Sequence, residues 1–168
     1  MKLFYISFLI LSLLLCGTLH SQGVDSSASP KYIKVIEGYL MVLKQGDYLF
    51  EELEKLSLRE NIPSATFTGM GFVNVDFGFF NAKKKTYKSR TFEGFELASL
   101  DGSIGWQNGK PSIHAHGVGG DKNYNARAGH ILSLVVGSGS LEVLITVHEK
   151  RLERIKVEEL GANVLELK

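Results

Sequence analysis

Apolar residues recur at two spacings along the chain, and the change of spacing separates one helix from a series of strands. In the segment YLFEELEKLSLREN, Leu49, Leu53 and Leu56 fall three or four residues apart, with charged residues on the opposite side. This spacing is typical of an amphipathic helix. Asp47 has the side chain of a good helix N-cap, and Pro63 is expected to terminate the helix.

The rest of the domain is rich in β-branched and aromatic residues, interrupted at short intervals by Gly, Asn, Asp and Lys. The first extended segment breaks near Gly38, and short connections of this kind favour antiparallel hairpins. The pattern predicts an α+β fold, in which a mainly antiparallel sheet, open or curled, carries one principal helix. Further predicted strands cover residues 64–81, 87–106, 110–119, 128–137 and 140–149, with a turn at 137–140 between the last two.

One predicted strand, HILSLVV, is apolar on both of its faces. The alternation places Ile131 and Val135 on one face, and the other carries His130, Leu132, Leu134 and Val136. A strand with one face in water would be polar on that face, so both faces need a cover. A closed barrel or the helix would supply it, and so would contact with another subunit. The sequence leaves both explanations open.

The first residues have the layout of a secretory signal peptide: Lys2, an apolar run over residues 3–15, and then a small, polar segment. The apolar run is shorter than the roughly 20 residues of a membrane-spanning helix. We therefore expect cleavage after Ser21 and export across the inner membrane, to the periplasm or the medium. The expected organisation is a signal peptide at 1–21, a linker at 22–30, the folded domain at 31–150, and a C-terminal tail at 151–168 that packs on the domain or extends it.

The single cysteine, Cys16, ends the apolar run, as the lipidated cysteine of a bacterial lipoprotein does. Leu15 precedes it where that pattern has a small residue, so attachment to a membrane through Cys16 is the less favoured alternative. Cleavage would leave a chain without thiol or disulfide chemistry.

Charge argues against a nucleic-acid partner. Removal of the signal peptide takes away Lys2 and no acidic residue, which leaves 18 basic residues against 18 acidic ones. Nucleic-acid-binding proteins normally carry a basic excess that replaces the counterions around phosphates. Export of the chain argues in the same direction.

Three of the five histidines fall within the segment PSIHAHGVGGDKNYNARAGH. His114 and His116 alternate on one face of a predicted strand, roughly 7 Å apart, and His130 begins the next strand. Three imidazoles with a fourth position open to water suit a catalytic or exchangeable zinc site, and imidazole also binds copper, nickel and iron. Asp121 and Glu93 are candidate hydrogen-bond acceptors behind these ligands.

Other features favour structural roles. The GMGF and GVGG segments do not complete a GxGxxG pattern, and no predicted helix follows them to hold a phosphate. Lys83, Lys84 and Lys85 occupy a predicted hairpin tip, which is either a solvated loop or an anion-binding patch. The histidines also have a structural alternative, because an HxH pair on a strand occurs by chance without a metal.

The order and spacing of several segments resemble the PPC domain, the plants-and-prokaryotes conserved domain also called DUF296. The most specific segments are TFEGFELASLDG and the HAH and GH histidines, and the resemblance covers about residues 31–148. It implies an α+β domain on a mainly antiparallel sheet, in members that assemble as trimers. It also implies a bound metal in some stand-alone prokaryotic members, whose histidines correspond to His114, His116 and His130.

Plant members of this family carry the domain behind AT-hooks in nuclear DNA-binding proteins, and the stand-alone prokaryotic members share the DNA-binding label. This chain contains no RGRP-like AT-hook core. The resemblance brings no agreed reaction with it.

Three hypotheses about function follow. The favoured one is an exported, homotrimeric protein that binds a divalent metal, with zinc preferred, through the three histidines. Any reaction would then use metal-activated water on a small-molecule ligand. The second hypothesis is a DNA-binding or regulatory interaction module. The third is a structural assembly protein whose histidines bind nothing.

Overall fold

A computed structural model describes residues 30–167. The predicted signal peptide, Cys16 and nearly all of the predicted linker lie outside the described residues. Within them, one helix accompanies eight strands. These elements are β1 (Tyr32–Val35), β2 (Gly38–Lys44), α1 (Leu49–Arg59), β3 (Ser64–Asn81), β4 (Thr86–Gln107), β5 (Lys110–Gly120), β6 (Ala126–His148), β7 (Glu153–Val157) and β8 (Ala162–Glu166).

The four longest strands close into a ring. Strand β3 pairs with β4 and with β6, and β5 pairs with the same two strands, always antiparallel. The β1–β2 hairpin extends the sheet along the second half of β6. The fold is therefore mostly antiparallel β-sheet, with a single short helix in the described part of the chain, as the sequence pattern predicted.

The core fills the inside of this curled sheet, and α1 covers it. Leu49, Leu53 and Leu56 are buried and join the same apolar cluster as Phe67 and Phe95 from β3 and β4. The helical spacing of these leucines is therefore explained by burial of one face. In the interval 30–167, no helix is long and apolar enough to cross a lipid bilayer.

The start of α1 differs from the prediction, because Asp47 does not cap it. The N-cap residue is Tyr48, which makes no side-chain capping bond. The carboxylate of Asp47 instead accepts hydrogen bonds from the backbone N–H of Lys44, at 2.9 Å, and from Nζ of Lys31, at 2.8 Å. Asp47 thus closes the turn before the helix.

The predicted turn at residues 137–140 was wrong, because β6 runs without reversal from Ala126 to His148. Strand β3 pairs antiparallel with both halves of β6, so β6 has the same direction before and after residues 137–140. Residues 137–140 form a bulge in β6, because the register with β3 passes from Gly71–Leu141 to Val73–Val136. Glycine at position 139 accommodates this bulge with a φ angle of 100°.

A second irregularity changes the predicted faces of HILSLVV. The register shifts between Asp76 and Phe77 of β3, which pair with Ser133 and Ile131, so Leu132 is an extra residue. Ile131, Leu134 and Val136 are consequently buried together. Core packing within one chain therefore accounts for much of this apolar strand.

The last two strands form a hairpin that docks on one end of β4. The backbone N–H of Trp106 donates a hydrogen bond to the carbonyl of Leu152, at 2.9 Å. The guanidinium of Arg151 lies over the indole of Trp106, 3.9 Å from the ring centroid. The indole Nε1–H of Trp106 donates to the carbonyl of Ile62, at 3.0 Å, so the hairpin rests on a fixed side chain.

Candidate metal centre

Two neighbouring strands bring the three histidines of the segment together. On β5, Ala115 points into the core and is 1% exposed, so His114 and His116 point to the outer face. His130 of β6 is the direct cross-strand partner of His116. The alternation of β5 and the register of the β5–β6 hairpin together produce the cluster.

The imidazole rings form a nearly equilateral triangle. The ring centroids are 5.1 Å apart for His114 and His116, 5.0 Å for His114 and His130, and 5.1 Å for His116 and His130. One nitrogen from each ring lies within 4.8 Å of the other two. Nδ1 of His130 and Nε2 of His116 are 3.4 Å apart.

These distances fit a set of metal ligands. Two imidazole nitrogens bound tetrahedrally to one ion at about 2.1 Å lie about 3.4 Å from each other. The His116–His130 nitrogen pair has this separation, and one nitrogen from each of the three rings lies within 4.8 Å of the others. The three histidines could therefore hold a metal ion.

The surroundings of two of the rings, those of His114 and His130, favour the neutral form by lowering the pKa. Burial lowers the pKa of His130 to about 4, and the neighbouring His114 and His116 contribute to this change. Burial also lowers the pKa of His114, with further contributions from the charge of Arg154 and from His116. An imidazole must be neutral to bind a metal through its ring nitrogen, so both shifts favour ligation near pH 7.

An aromatic side chain fixes the position of His130. The ring of Tyr87 stacks on its imidazole, with centroids 4.7 Å apart and an interplanar angle of 21°. Tyr87 comes from β4 and reaches β6 across Gly78 of β3. A Cβ atom at position 78 would lie 2.7 Å from the Tyr87 ring, so glycine provides the space for this contact.

A buried arginine approaches the cluster from the β7–β8 hairpin. Nη2 of Arg154 donates a hydrogen bond to Oγ of Ser103, at 2.7 Å. Ser103 is the cross-strand partner of His114, so the hydroxyl that binds the guanidinium lies on the same face of the sheet as the histidine triad.

The two predicted acidic residues form no hydrogen bond with the three imidazoles in the part of the chain that the structure describes. Oδ1 of Asp121 accepts hydrogen bonds from the backbone N–H groups of Asn123 and Asn125, at 2.8 Å and 3.0 Å, and closes the β5–β6 turn. Glu93 is exposed on β4, and no hydrogen bond joins it to an imidazole in the part of the chain that the structure describes. The carboxylate residue aligned with the site is Asp101, the cross-strand partner of His116.

The sequence did not identify Tyr87, Asp101, Ser103 or Arg154 as neighbours of the site. No local pattern indicates them, because each is placed by strand register or by docking of the C-terminal hairpin. Of the other histidines, His148 ends β6 opposite Ser64, away from the cluster.

The structure thus defines a class of protein: a curled antiparallel β-domain with three clustered histidines on its outer face. The family model of the Plants and Prokaryotes Conserved (PCC) domain matches residues 31–149. The chain therefore belongs to this family, as its resemblance to the PPC domain predicted. No curated protein matches the chain.

Solved structures include similar chains. A protein from Ralstonia eutropha, provisionally named as DNA-binding, is 46% identical, with a TM-score of 0.79 over 82% of this chain and 96% of that chain. A plant- and prokaryote-conserved (PPC) protein from Pyrococcus horikoshii is 29% identical, with a TM-score of 0.69 over 77% and 92%. A metal-containing protein from Archaeoglobus fulgidus is 24% identical, with a TM-score of 0.71 over 83% and 100%, and shows similarity of fold.

Proposed function

We propose that this chain is a metal-binding member of the PCC family, in which His114, His116 and His130 hold one divalent ion, preferably zinc. The observation that carries the proposal is the triangle of imidazoles, with a nitrogen from each ring within 4.8 Å of the others. The name of the metal-containing structural neighbour is consistent with it. Three nitrogen ligands would leave one tetrahedral position for water or a ligand.

The residues around the triad have separate roles in this proposal. His114 and His130 stay neutral because burial lowers their pKa values. The stacked ring of Tyr87 restricts rotation of His130 and so preserves the ligand geometry. A bound zinc ion would supply Lewis acidity to whatever occupies its fourth position. The separations of the three ligand nitrogens thus support metal binding.

Metal analysis of untagged protein tests the proposal. We expect about one zinc equivalent per chain in the native protein and a loss of at least tenfold in the His114→Ala, His116→Ala double variant. His148→Ala is the matched control, because it removes a histidine of the same sheet that lies outside the triad. Equal metal contents in the native protein and the double variant would refute the proposal.

Export and a trimeric state complete this proposal. Export rests on the signal-peptide pattern of residues 1–21, and it predicts a mature protein that begins at Gln22. Mass spectrometry of protein recovered from the periplasm or medium of the native host tests this. A full-length cytoplasmic chain would contradict export, and a lipid adduct on Cys16 would favour the membrane-anchored alternative.

The trimer is supported by an apolar patch on the outer face of the sheet. Its side chains come from three adjacent strands and are all at least 38% exposed: Val42, Met70, Phe72 and Leu144. Exposed apolar clusters of this kind mark contact surfaces in soluble proteins. A second copy of the chain is the occupant that the family resemblance suggests.

DNA binding is a second candidate, favoured by one surface. The β3–β4 hairpin ends in Lys83, Lys84 and Lys85, all exposed, and Phe79 beside them is 80% exposed. Cationic and aromatic side chains together suit a nucleic-acid backbone and its bases. We expect the affinity for duplex DNA to fall steeply with added salt. The double variant Lys83→Glu, Lys84→Glu should bind the duplex more weakly, and Lys34→Glu, at another exposed lysine, is the control. Absence of binding at low salt would exclude this function.

A further inference from the structure

The guanidinium of Arg154 is an isolated buried charge. Arg154 is 6% exposed, and it is the one charged residue among the buried side chains of residues 30–167. No carboxylate in this interval forms an ion pair with it. Buried charges are normally paired, because removing an ion from water has a large energetic cost.

The hydrogen-bond partners of Arg154 in the described chain are neutral oxygen atoms, and they do not satisfy all of its N–H groups. Nη2 donates to Oγ of Ser103 at 2.7 Å and approaches the carbonyl of Ser103 at 3.5 Å, and Nε donates to the carbonyl of Ser112 at 3.4 Å. The two carbonyl contacts are long for N–H···O bonds. Nη1 has no hydrogen-bond partner in the described chain. Since no buried side-chain nitrogen there lacks a partner, Nη1 reaches solvent-accessible space.

The residues that hold the guanidinium are neighbours of the histidine triad. Ser103 is the cross-strand partner of His114, and Ser112 precedes His114 by two residues on the same face of β5. Burial is the main cause of the lowered pKa of His114, and the positive charge of Arg154 is close enough to lower it further. The cation and the triad therefore border the same surface.

The C-terminal hairpin is built to hold the arginine there. A Cβ atom at Gly105 would lie 2.7 Å from Leu165 and 3.1 Å from the carbonyl of Leu152, so glycine permits the hairpin to approach β4. The stem of Arg154 passes over this glycine, with Cγ 3.7 Å from the same position. Residues 153–166 lie beyond the segment matched by the family model. Arg154 therefore belongs to a hairpin that follows the matched domain in the chain.

We propose that Arg154, held by Ser103, is the anion-binding half of a composite site whose other half is the histidine triad, and that its ligand is a small oxyanion. Such an oxyanion would place one oxygen at the open metal position and another against the guanidinium. Arginine suits this task because its planar fork binds carboxylate and phosphate oxygens in pairs. The contact between the oxyanion and the metal rests on the proposed metal site. The contact between the oxyanion and the guanidinium rests on Arg154.

Titration of the cobalt-substituted protein with acetate and, separately, with inorganic phosphate tests the site, because visible absorption of Co²⁺ reports changes in its ligands. We expect saturable spectral changes in the native protein. Arg154→Met should weaken anion affinity by at least tenfold while Co²⁺ affinity stays within about threefold, a split that loss of one charged hydrogen bond would produce. Lys156→Met is the matched control on the same hairpin, and it should behave as the native protein.

The two anions distinguish the sources of the oxyanion. A response to acetate alone assigns a carboxylate ligand, and a response to phosphate alone assigns a phosphate. If Arg154→Met does not fold, Arg154→Lys is the second variant. It retains the positive charge without the planar guanidinium and should lower the anion affinity by several-fold. Unchanged anion affinity in a folded Arg154 variant, or no spectral response in native protein that has bound Co²⁺, would overturn the inference.

Calorimetry on metal-free protein separates this inference from the proposed metal function. If the native chain binds no metal, the proposed function fails. Weak binding of acetate or phosphate that disappears in Arg154→Met would then still support an oxyanion site at Arg154. Anion binding that is absent, or equal in the native protein and the variant, would refute that site independently of the metal.

Discussion

The ring of Tyr87 lies against the imidazole of His130, with centroids 4.7 Å apart and planes inclined by 21°. The two residues belong to strands that are not neighbours at this point, and Gly78 of the intervening strand leaves the space between them. The contact orients a candidate metal ligand without occupying either of its ring nitrogens.

Removal of this ring should weaken metal binding without removing a ligand. We expect Tyr87→Ala to lower zinc affinity by about 10-fold, in the range typical for residues that support metal ligands. Competition titration with a chromophoric chelator measures the change. Tyr87→Phe retains the stacked ring and should stay within about twofold of the native affinity; an equal loss in both variants would show that the hydroxyl, rather than the ring, is important.

Glycine at position 102 should be required for stability. A Cβ atom there would lie 2.2 Å from Cζ of Phe67 and 2.6 Å from the carbonyl of His114, so alanine forces the core ring and strand β5 apart. We expect Gly102→Ala to lower the free energy of unfolding by about 3 kcal/mol, at the upper end of typical overpacking costs. Urea denaturation measures this change.

Gly120→Ala is the control for that substitution, because a Cβ atom there meets nothing within 4 Å. We expect a change within about 0.5 kcal/mol, as for most exposed substitutions. Equal destabilisation by both alanines would mean that backbone flexibility, and not the contact with Phe67, determines the requirement at position 102.

The metal-free protein should lose stability as the pH falls from about 6.5 to about 4. The pKa of His130 is lowered to about 4 in the folded chain from its ordinary value of 6.5, mainly by burial. Between these values the unfolded chain binds a proton that the folded chain does not, so acid favours unfolding. Urea midpoints at pH 7.0, 5.5 and 4.5 measure the loss.

His130→Gln should show a weaker pH dependence over this interval, because glutamine does not titrate. The two aspartates with lowered pKa values, Asp47 and Asp121, add their own loss mainly as the pH falls below about 4. For Asp47, burial opposes the shift and the hydrogen bonds from Lys31 and Lys44 outweigh it. Parallel midpoint curves for the variant and the native protein would contradict the role of His130.

The apolar patch should determine the oligomeric state. Met70, 60% exposed, and Leu144, 40% exposed, lie on adjacent strands of the outer face. We expect Met70→Glu, Leu144→Glu to convert a trimer to monomers in light scattering, because interface cores exclude charge. Ile36→Glu is the control, since Ile36 is fully exposed in the β1–β2 turn. A native protein that is already monomeric would contradict the proposed trimer.

Local pattern predicted the elements well where local chemistry determines them. The leucine spacing predicted α1, and the β-branched and aromatic runs predicted strands at 64–81, 87–106 and 110–119, within one residue of the observed ends. It failed at residues 137–140 and at Leu132, where bulges interrupt β6. A glycine-rich segment can form a turn or a bulge, and only its pairing with a continuous β3 selects the bulge.

By itself, the sequence determined that His114 and His116 share a face and that His130 follows on the next strand, because alternation along a strand has a fixed period of two. Only the tertiary structure decided which residues surround them. Tyr87 reaches His130 across Gly78, and Arg154 reaches the site from a hairpin 24 residues beyond it. These neighbours depend on register between distant strands and on docking of the C-terminal hairpin, and long-range packing energies of this kind leave no local pattern in the chain.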